Sequence, residues 1–235
     1  MAWENPGFQT AAPAVSSVLV QESRRAFMSR VYGWMFAGLM VTGITALFTV
    51  ANRPLLEIAV QWRLGLLLAE LGLVFALSML APRLSGPVAA MMFLAYSALT
   101  GMTLSVYFLI YTAASIGNAF LLTAGVFGAL SLFGTFTKKD LSAWASFLFM
   151  GLVGVVLASV VNIFMRSDGL SFVLSCASVI VFAGLTAYDT QKLREMHAST
   201  GHSSAASVSI MGALTLYLDL INLFIAMLRL FGQRR

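Results

Sequence analysis

The stretch 214-LTLYLDLINLFIAMLRLFG-232 is long and apolar enough to cross a bilayer, yet it carries Asp219 near its middle, then Asn222 and Arg229. About 20 apolar residues span the hydrocarbon as a helix. A carboxylate at the centre of a lipid-facing helix costs roughly 2.5–3.5 kcal/mol on insertion scales. The stretch therefore predicts a membrane helix that turns its acid toward protein or water. At about 100° per residue, Gly212, Thr215, Asp219, Asn222, Ala226 and Arg229 share one arc of about 100°. Ala213, Tyr217, Ile221, Phe224 and Leu228 lie opposite.

The rest of the chain has the same character. Of 235 residues, 60% are hydrophobic and only 10% charged, and the mean hydropathy is +0.90. That composition excludes a soluble domain of this length. Apolar runs near 31–51, 64–81, 87–111, 116–136, 144–165, 170–191 and 207–230 predict seven spans. The expected fold is all-α, a polytopic seven-transmembrane-helix bundle forming one domain over 23–235. Residues 1–22, rich in Ala, Pro, Ser and Gln, read as a disordered cytoplasmic tail rather than a cleaved leader. In 97-SALTGMTLS-105, Ser97, Gly101 and Ser105 recur every four residues, a close-packing face between helices. The lone Cys176 excludes an intrachain disulfide.

The net charge of +5 does not imply nucleic acid, because the basic residues are scattered through short loops, where they act as topology signals. With the N-terminus inside, Arg24, Arg25, Arg30, Arg83, Lys138, Lys139, Lys192 and Arg194 are cytoplasmic. Arg53, Arg63, Arg166, Arg229, Arg234 and Arg235 are then outside. Eight against six is a thin excess, but early loops dominate, so the expected orientation is N-terminus in and C-terminus out. A last helix that failed to cross would put the C-terminus inside.

The sixth span repeats the polar stripe of the seventh. Ser171, Ser175, Ser178, Thr186 and Asp189 share an arc interrupted by Phe182. If the two stripes face each other, a modest stagger brings Asp189 and Asp219 together, and two carboxyls in contact share a proton. The bland alternatives are a solvated helix-end acid at Asp189 and a satisfied interhelical hydrogen bond at Asp219. Matched depth also suggests a structural ion pair between Glu70 and Arg229. Arg83, level with Asp189, is either a topology residue or a gating latch. Lys138, Lys139 and Asp140 read as a loop with a helix-starting acid. His197 and His202 lie in a Ser-rich loop without a metal-ligand set, and no phosphate-binding or zinc-protease motif occurs.

The stretches 184-GLTAYDTQKL-193, 213-ALTLYLDLINLF-224 and 137-TKKDLS-142 resemble a bacterial member of the Bax inhibitor family, the transmembrane Bax inhibitor motif-containing proteins. The likeness covers the chain after residue 22. It implies a seven-helix bundle in the bacterial inner membrane with two facing aspartates, at Asp189 and Asp219 by motif position. It also implies a pH-sensitive calcium leak that opens in acid, with a basic latch at the inner end of the second helix. In 79-MLAPRLSG-86 that latch falls on Arg83, preceded by Pro82.

Three functions compete. In the first, calcium ions and protons move through a passive leak, with no tightly bound cofactor. Calcium takes about 6–8 oxygens, and Asp189, Asp219, Asn222, Thr215 and Ser178 offer part of a weak site completed by water. The second is an intramembrane aspartyl protease. Its second Asp belongs to Gly-x-Gly-Asp, whereas Asp219 follows 216-LYL-218, so the reading is non-enzymatic. The third is a non-transporting regulator that binds a membrane protease or another membrane protein.

Overall fold

A computed structural model describes residues 12–80, 84–196 and 205–235. Nine helices occupy these residues: α1 (Ala12–Ala51), α2 (Arg53–Gln61), α3 (Arg63–Leu80), α4 (Gly86–Ser105), α5 (Tyr107–Ile110), α6 (Ala113–Phe136), α7 (Ser142–Met165), α8 (Asp168–Met196) and α9 (Ala205–Phe231). Seven segments are long and apolar enough to cross a membrane, with α4 and α5 forming one of them. Helices are the expected solution, because hydrocarbon offers no partner to a free backbone N–H or C=O.

The seven spans fall where the apolar runs predict them, and two details differ. Residues 1–11 of the expected tail lie outside the described residues, but the backbone is already helical from Ala12. The first helix therefore includes much of the stretch expected to be disordered. The link between the first two spans is also a helix, α2, begun by Pro54 in its first turn. One turn apart, Arg53 and Glu57 approach to 3.8 Å on its exposed side, while Ala59 is buried. A nine-residue amphipathic helix is too short to register as a span.

α9 is the axis of the bundle. In its most apolar window 72% of residues are buried, against 6% for α3 and for α7. It packs against α1, α4, α6 and α8, whereas α3 leans on α4 and α7 on α8. This explains how α9 tolerates polar groups: nearly every side of it faces protein. The face opposite Asp219 is equally enclosed, with Ala213, Tyr217 and Leu228 fully buried.

Small residues set the closest approaches, as the Ser97–Gly101–Ser105 face predicts. A methyl group at Gly101 would stand 2.5 Å from the Thr42 carbonyl of α1. At Gly134 of α6 it would collide with the backbone of Ala187 on α8. Glycine is needed at both places because backbone meets backbone.

The ends are pinned. Arg166 closes α7 in the left-handed conformation, φ 50°. Asn162 holds that turn, accepting from Ser167 N at 3.1 Å and donating to Ser171 Oγ at 2.7 Å. Beyond α9, the C-terminal residues pair with the turn before α6: Thr112 N donates to Gln233 O at 3.2 Å and Arg235 N to Ile110 O at 2.9 Å. The last helix thus runs the full length of the bundle. The start of α1 and the end of the chain lie at opposite ends of the bundle, called here the Lys138 end and the Arg166 end.

Candidate functional site

The candidate site lies where α8 and α9 cross, toward the Lys138 end. Near that end, Leu193 of α8 fits against Gly212 of α9, where a methyl group would stand 2.9 Å from it. One turn back along α8, the carboxyl groups of Asp189 and Asp219 lie within hydrogen-bonding reach of each other. The helices run antiparallel, so these two contacts place the end of α8 level with the second turn of α9 rather than its first. This is the stagger that the two polar stripes require. Asp219 is 4% exposed and Asp189 half-buried. Oδ2 of Asp219 is buried without a hydrogen-bond partner, a costly state for a carboxylate inside a bundle.

Among the described residues the charged neighbours of the pair are few. Lys192 lies within electrostatic reach of Asp189, and its ammonium stands 5.7 Å from the centre of the Tyr188 ring. Arg194 points elsewhere, donating to the carbonyl of Thr135 on α6. The supporting stripe is divided. Thr215 and Asn222 bond their own helix, to Met211 O at 3.2 Å and Leu218 O at 2.8 Å, and Ser178 is half-buried on α8. Among the described residues no group of three or more His, Cys, Asp or Glu side chains gathers. A cation at the pair would draw on two carboxylates, with backbone and water oxygens for the rest.

Two expectations fare differently. Arg83, His197 and His202 lie outside the described residues. Leu84, next in sequence to Arg83, has its carbonyl bonded by Ser207 Oγ at 2.9 Å, in the first turn of α9. Ser207 is twelve residues, roughly 18 Å along a helix, from Asp219. The Glu70–Arg229 ion pair does not form. Glu70 accepts from Thr103 Oγ1 of α4 at 2.5 Å, and Arg229 donates to the Tyr107 hydroxyl at 3.3 Å. The depth reading placed both charges in the same half of the bundle, but depth says nothing of azimuth. α3 packs on α4 rather than on α9, so each charge finds a hydroxyl on the α4–α5 segment.

Two features had no clear signal in the sequence. The first is a buried hydroxyl cluster behind Asp219. Tyr217 and Thr42 hydroxyls meet at 2.6 Å, and Thr42 is 2.9 Å from the carbonyls of both Gly38 and Ser97. Thr42 has one proton to give a carbonyl, so Tyr217 is the donor between the two hydroxyls. Its ring stands edge-on to Phe93 and Tyr96, with centroids 5.6 and 5.9 Å away. The second is Gln191, whose Oε1 accepts from Leu141 N and whose Nε2 donates to Lys139 O, both at 2.8 Å. Gln191 thereby ties 137-TKKDLS-142 to 184-GLTAYDTQKL-193, while Asp189 ties the latter to 213-ALTLYLDLINLF-224. The three stretches that carry the family likeness are one connected site. Asp140 begins α7 as expected: the backbone and hydroxyl of Ser142 bond its carboxyl and hold it below the usual carboxylate range. Beside Gln191 opens a recess of about 450 Å³ walled by residues 135–140, Arg194 and Glu195. Gln191 is two residues from Asp189, about 200° around α8, so the recess lies on the side turned away from the acid pair.

A bundle of seven helical segments long and apolar enough to cross a membrane defines the class. The chain belongs to the Bax inhibitor family: the family model described as "Inhibitor of apoptosis-promoting Bax1" matches residues 24–235. It is 48% identical to the Inner membrane protein YbhL of Escherichia coli (strain K12), over 90% of this chain and 93% of that protein. It is 41% identical to an uncharacterized protein of Rickettsia prowazekii (strain Madrid E), over 91% and 92%. An uncharacterized membrane protein of Streptococcus pyogenes serotype M1 is 43% identical over 72% of this chain and 73% of its own.

Proposed function

We propose that the protein is a passive, proton-regulated calcium leak of the bacterial inner membrane, with Asp189 and Asp219 as its sensor. The observation that carries the reading is the contact of two carboxyls at the core of the bundle, one of them buried with an unpartnered oxygen. Such a pair holds one proton readily and loses it at the expense of two adjacent negative charges. It is a binary element, and binary elements gate. The inner-membrane assignment draws on the similarity to YbhL, and the N-in, C-out orientation on the charge excess of the early loops.

The direction of gating follows from which contact closes the path. If a cation near the Lys138 end holds Asp189, protonating Asp189 removes the attraction and the path opens in acid. Lys192 already lies within reach of Asp189, and Arg83 is the latch proposed from the family likeness. Greater flux at mildly acid pH is the expected result, with Arg83→Ala raising flux at neutral pH. If instead repulsion between the two carboxylates opens the path, flux rises with pH.

The alternative is a regulator that binds a membrane partner and passes no ions. Purified protein in liposomes loaded with a calcium indicator separates the two. Calcium entry that depends on the protein and grows as pH falls supports the leak. Liposomes no leakier than protein-free controls at any pH would leave the regulator.

A further inference from the structure

An apolar groove interrupts the lipid-facing wall toward the Arg166 end. α1 and α6 each pack on α9 but not extensively on each other. Between them lies a recess of about 430 Å³. Leu220, Ile221 and Phe224 of α9 form its floor, and Met40 and Ile44 of α1 and Phe120 of α6 its rim. The rim is exposed, whereas the three floor residues are buried. Phe120 and Phe224 meet edge to face across it, centroids 6.3 Å apart.

We propose that this groove binds a phospholipid of the surrounding bilayer, one acyl chain lying against α9 and the phosphate on Arg229. Three observations carry the assignment. The groove lies within segments that cross the membrane, so hydrocarbon is its solvent. Water has nothing to bond to on walls that are almost wholly apolar, and an empty groove forfeits the dispersion contacts of its lining. Glycine also keeps it open. Unlike Gly101 and Gly134, where side chains are excluded by a neighbouring backbone, Gly43 and Gly117 on its walls have no atom within 4 Å of an added methyl. Their effect is to leave width that larger side chains would fill.

A charge stands one hydrogen bond from the groove's lining. Tyr107 lines it and is bonded by Arg229, whose guanidinium is exposed and has no carboxylate partner among the described residues. A planar cation at the end of an apolar slot fits a headgroup phosphate followed by its chain. A free fatty acid would present a carboxylate to the same arginine, so the source is an arm of the test.

The full chain is reconstituted in phosphatidylcholine vesicles containing a trace of the same lipid with a photoactivatable diazirine on one acyl chain. Irradiation and peptide mapping should give adducts on Ile221 or Phe224, residues that annular lipid cannot reach. Phe164 on the outer face of α7, 82% exposed, serves as the reference for a folded, embedded protein. With Gly43→Leu and Gly117→Leu combined, α9 labelling relative to Phe164 should fall about tenfold. Arg229→Gln should lower it about threefold, and Phe120→Ala should raise it. Absence of α9 adducts in the parent, or labelling that neither filling nor widening the groove alters, overturns the proposal. Labelling of α9 by a diazirine fatty acid but not by the phospholipid also overturns it.

Discussion

Asp219 and Tyr217 sit two residues apart on α9 and face opposite ways, one toward α8 and the other toward α1 and α4. Their polar groups meet different fates. The Tyr217 hydroxyl is satisfied by Thr42, and interhelical hydrogen bonds of this kind contribute modestly within a membrane. Tyr217→Phe should destabilise the protein by roughly 0.5–1.5 kcal/mol, and adding Thr42→Val should cost less than the sum of the two single changes. Unfolding in detergent, read as a double-mutant cycle, checks this; full additivity would mean the hydroxyls do not interact. For Glu70 and Arg229 the opposite holds. Glu70→Gln and Arg229→Gln should add to within about 0.5 kcal/mol, because they share no partner. At this scale the sequence showed which groups are polar and how deep they lie. It could not show which helix each would turn toward, and the Glu70–Arg229 pairing failed for that reason.

Elements rather than single residues set the geometry of the acid pair. α8 carries Asp189 on one side and Gln191 on another, so a single helix grips both α9 and the α6–α7 connection. Gln191→Ala should free the half-buried Leu141 amide and the Lys139 carbonyl, a loss of about 1–3 kcal/mol for the two hydrogen bonds together. Amide exchange at Leu141 should quicken while exchange in the middle of α9 stays slow. Equal protection in the variant would show that the connection holds itself. Asp140 adds a pH dependence at the same place. Its carboxyl lies below the usual range in the folded protein. Its contribution to the start of α7 is therefore present above the ordinary carboxylate pKa and lost as pH falls through the lowered one. Exchange at Ser142 should quicken in that acid window, and Asp140→Asn should remove the dependence. The seven spans were legible because each is a long apolar run, and the Ser97–Gly101–Ser105 face because small residues recur with helical spacing. α2 was too short to leave such a signal. The Gln191 clamp joins residues fifty positions apart through backbone groups, which no local pattern encodes.

Across the whole molecule, the burial of α9 explains why a segment apolar enough to span a bilayer keeps a carboxylate. The acid faces a second acid inside a ring of helices, and the same enclosure makes its ionisation consequential. Seven spans, an odd number, predict termini on opposite sides of the membrane. Accessibility labelling of single cysteines placed near Arg25 and at Gln233, in a Cys176→Ala background, should therefore mark opposite faces of the membrane, with the Arg25 site cytoplasmic. Labelling of both from one side would contradict the fold as well as the orientation. In the proposed function the Asp189–Asp219 pair senses protons for a calcium path. Calcium entry into liposomes, followed from mildly alkaline to mildly acid pH for the parent, Asp189→Asn and Asp219→Asn, tests it most directly. Parent flux should rise as pH falls. Asp219→Asn keeps the shape and hydrogen-bonding capacity of the side chain without its titrating proton, so its profile should be flat. Asp189→Asn should be flattened less, because Asp189 is the more exposed of the two. An Asp219→Asn protein that conducts calcium with the parent's pH profile would contradict the account and leave the acid pair a structural contact.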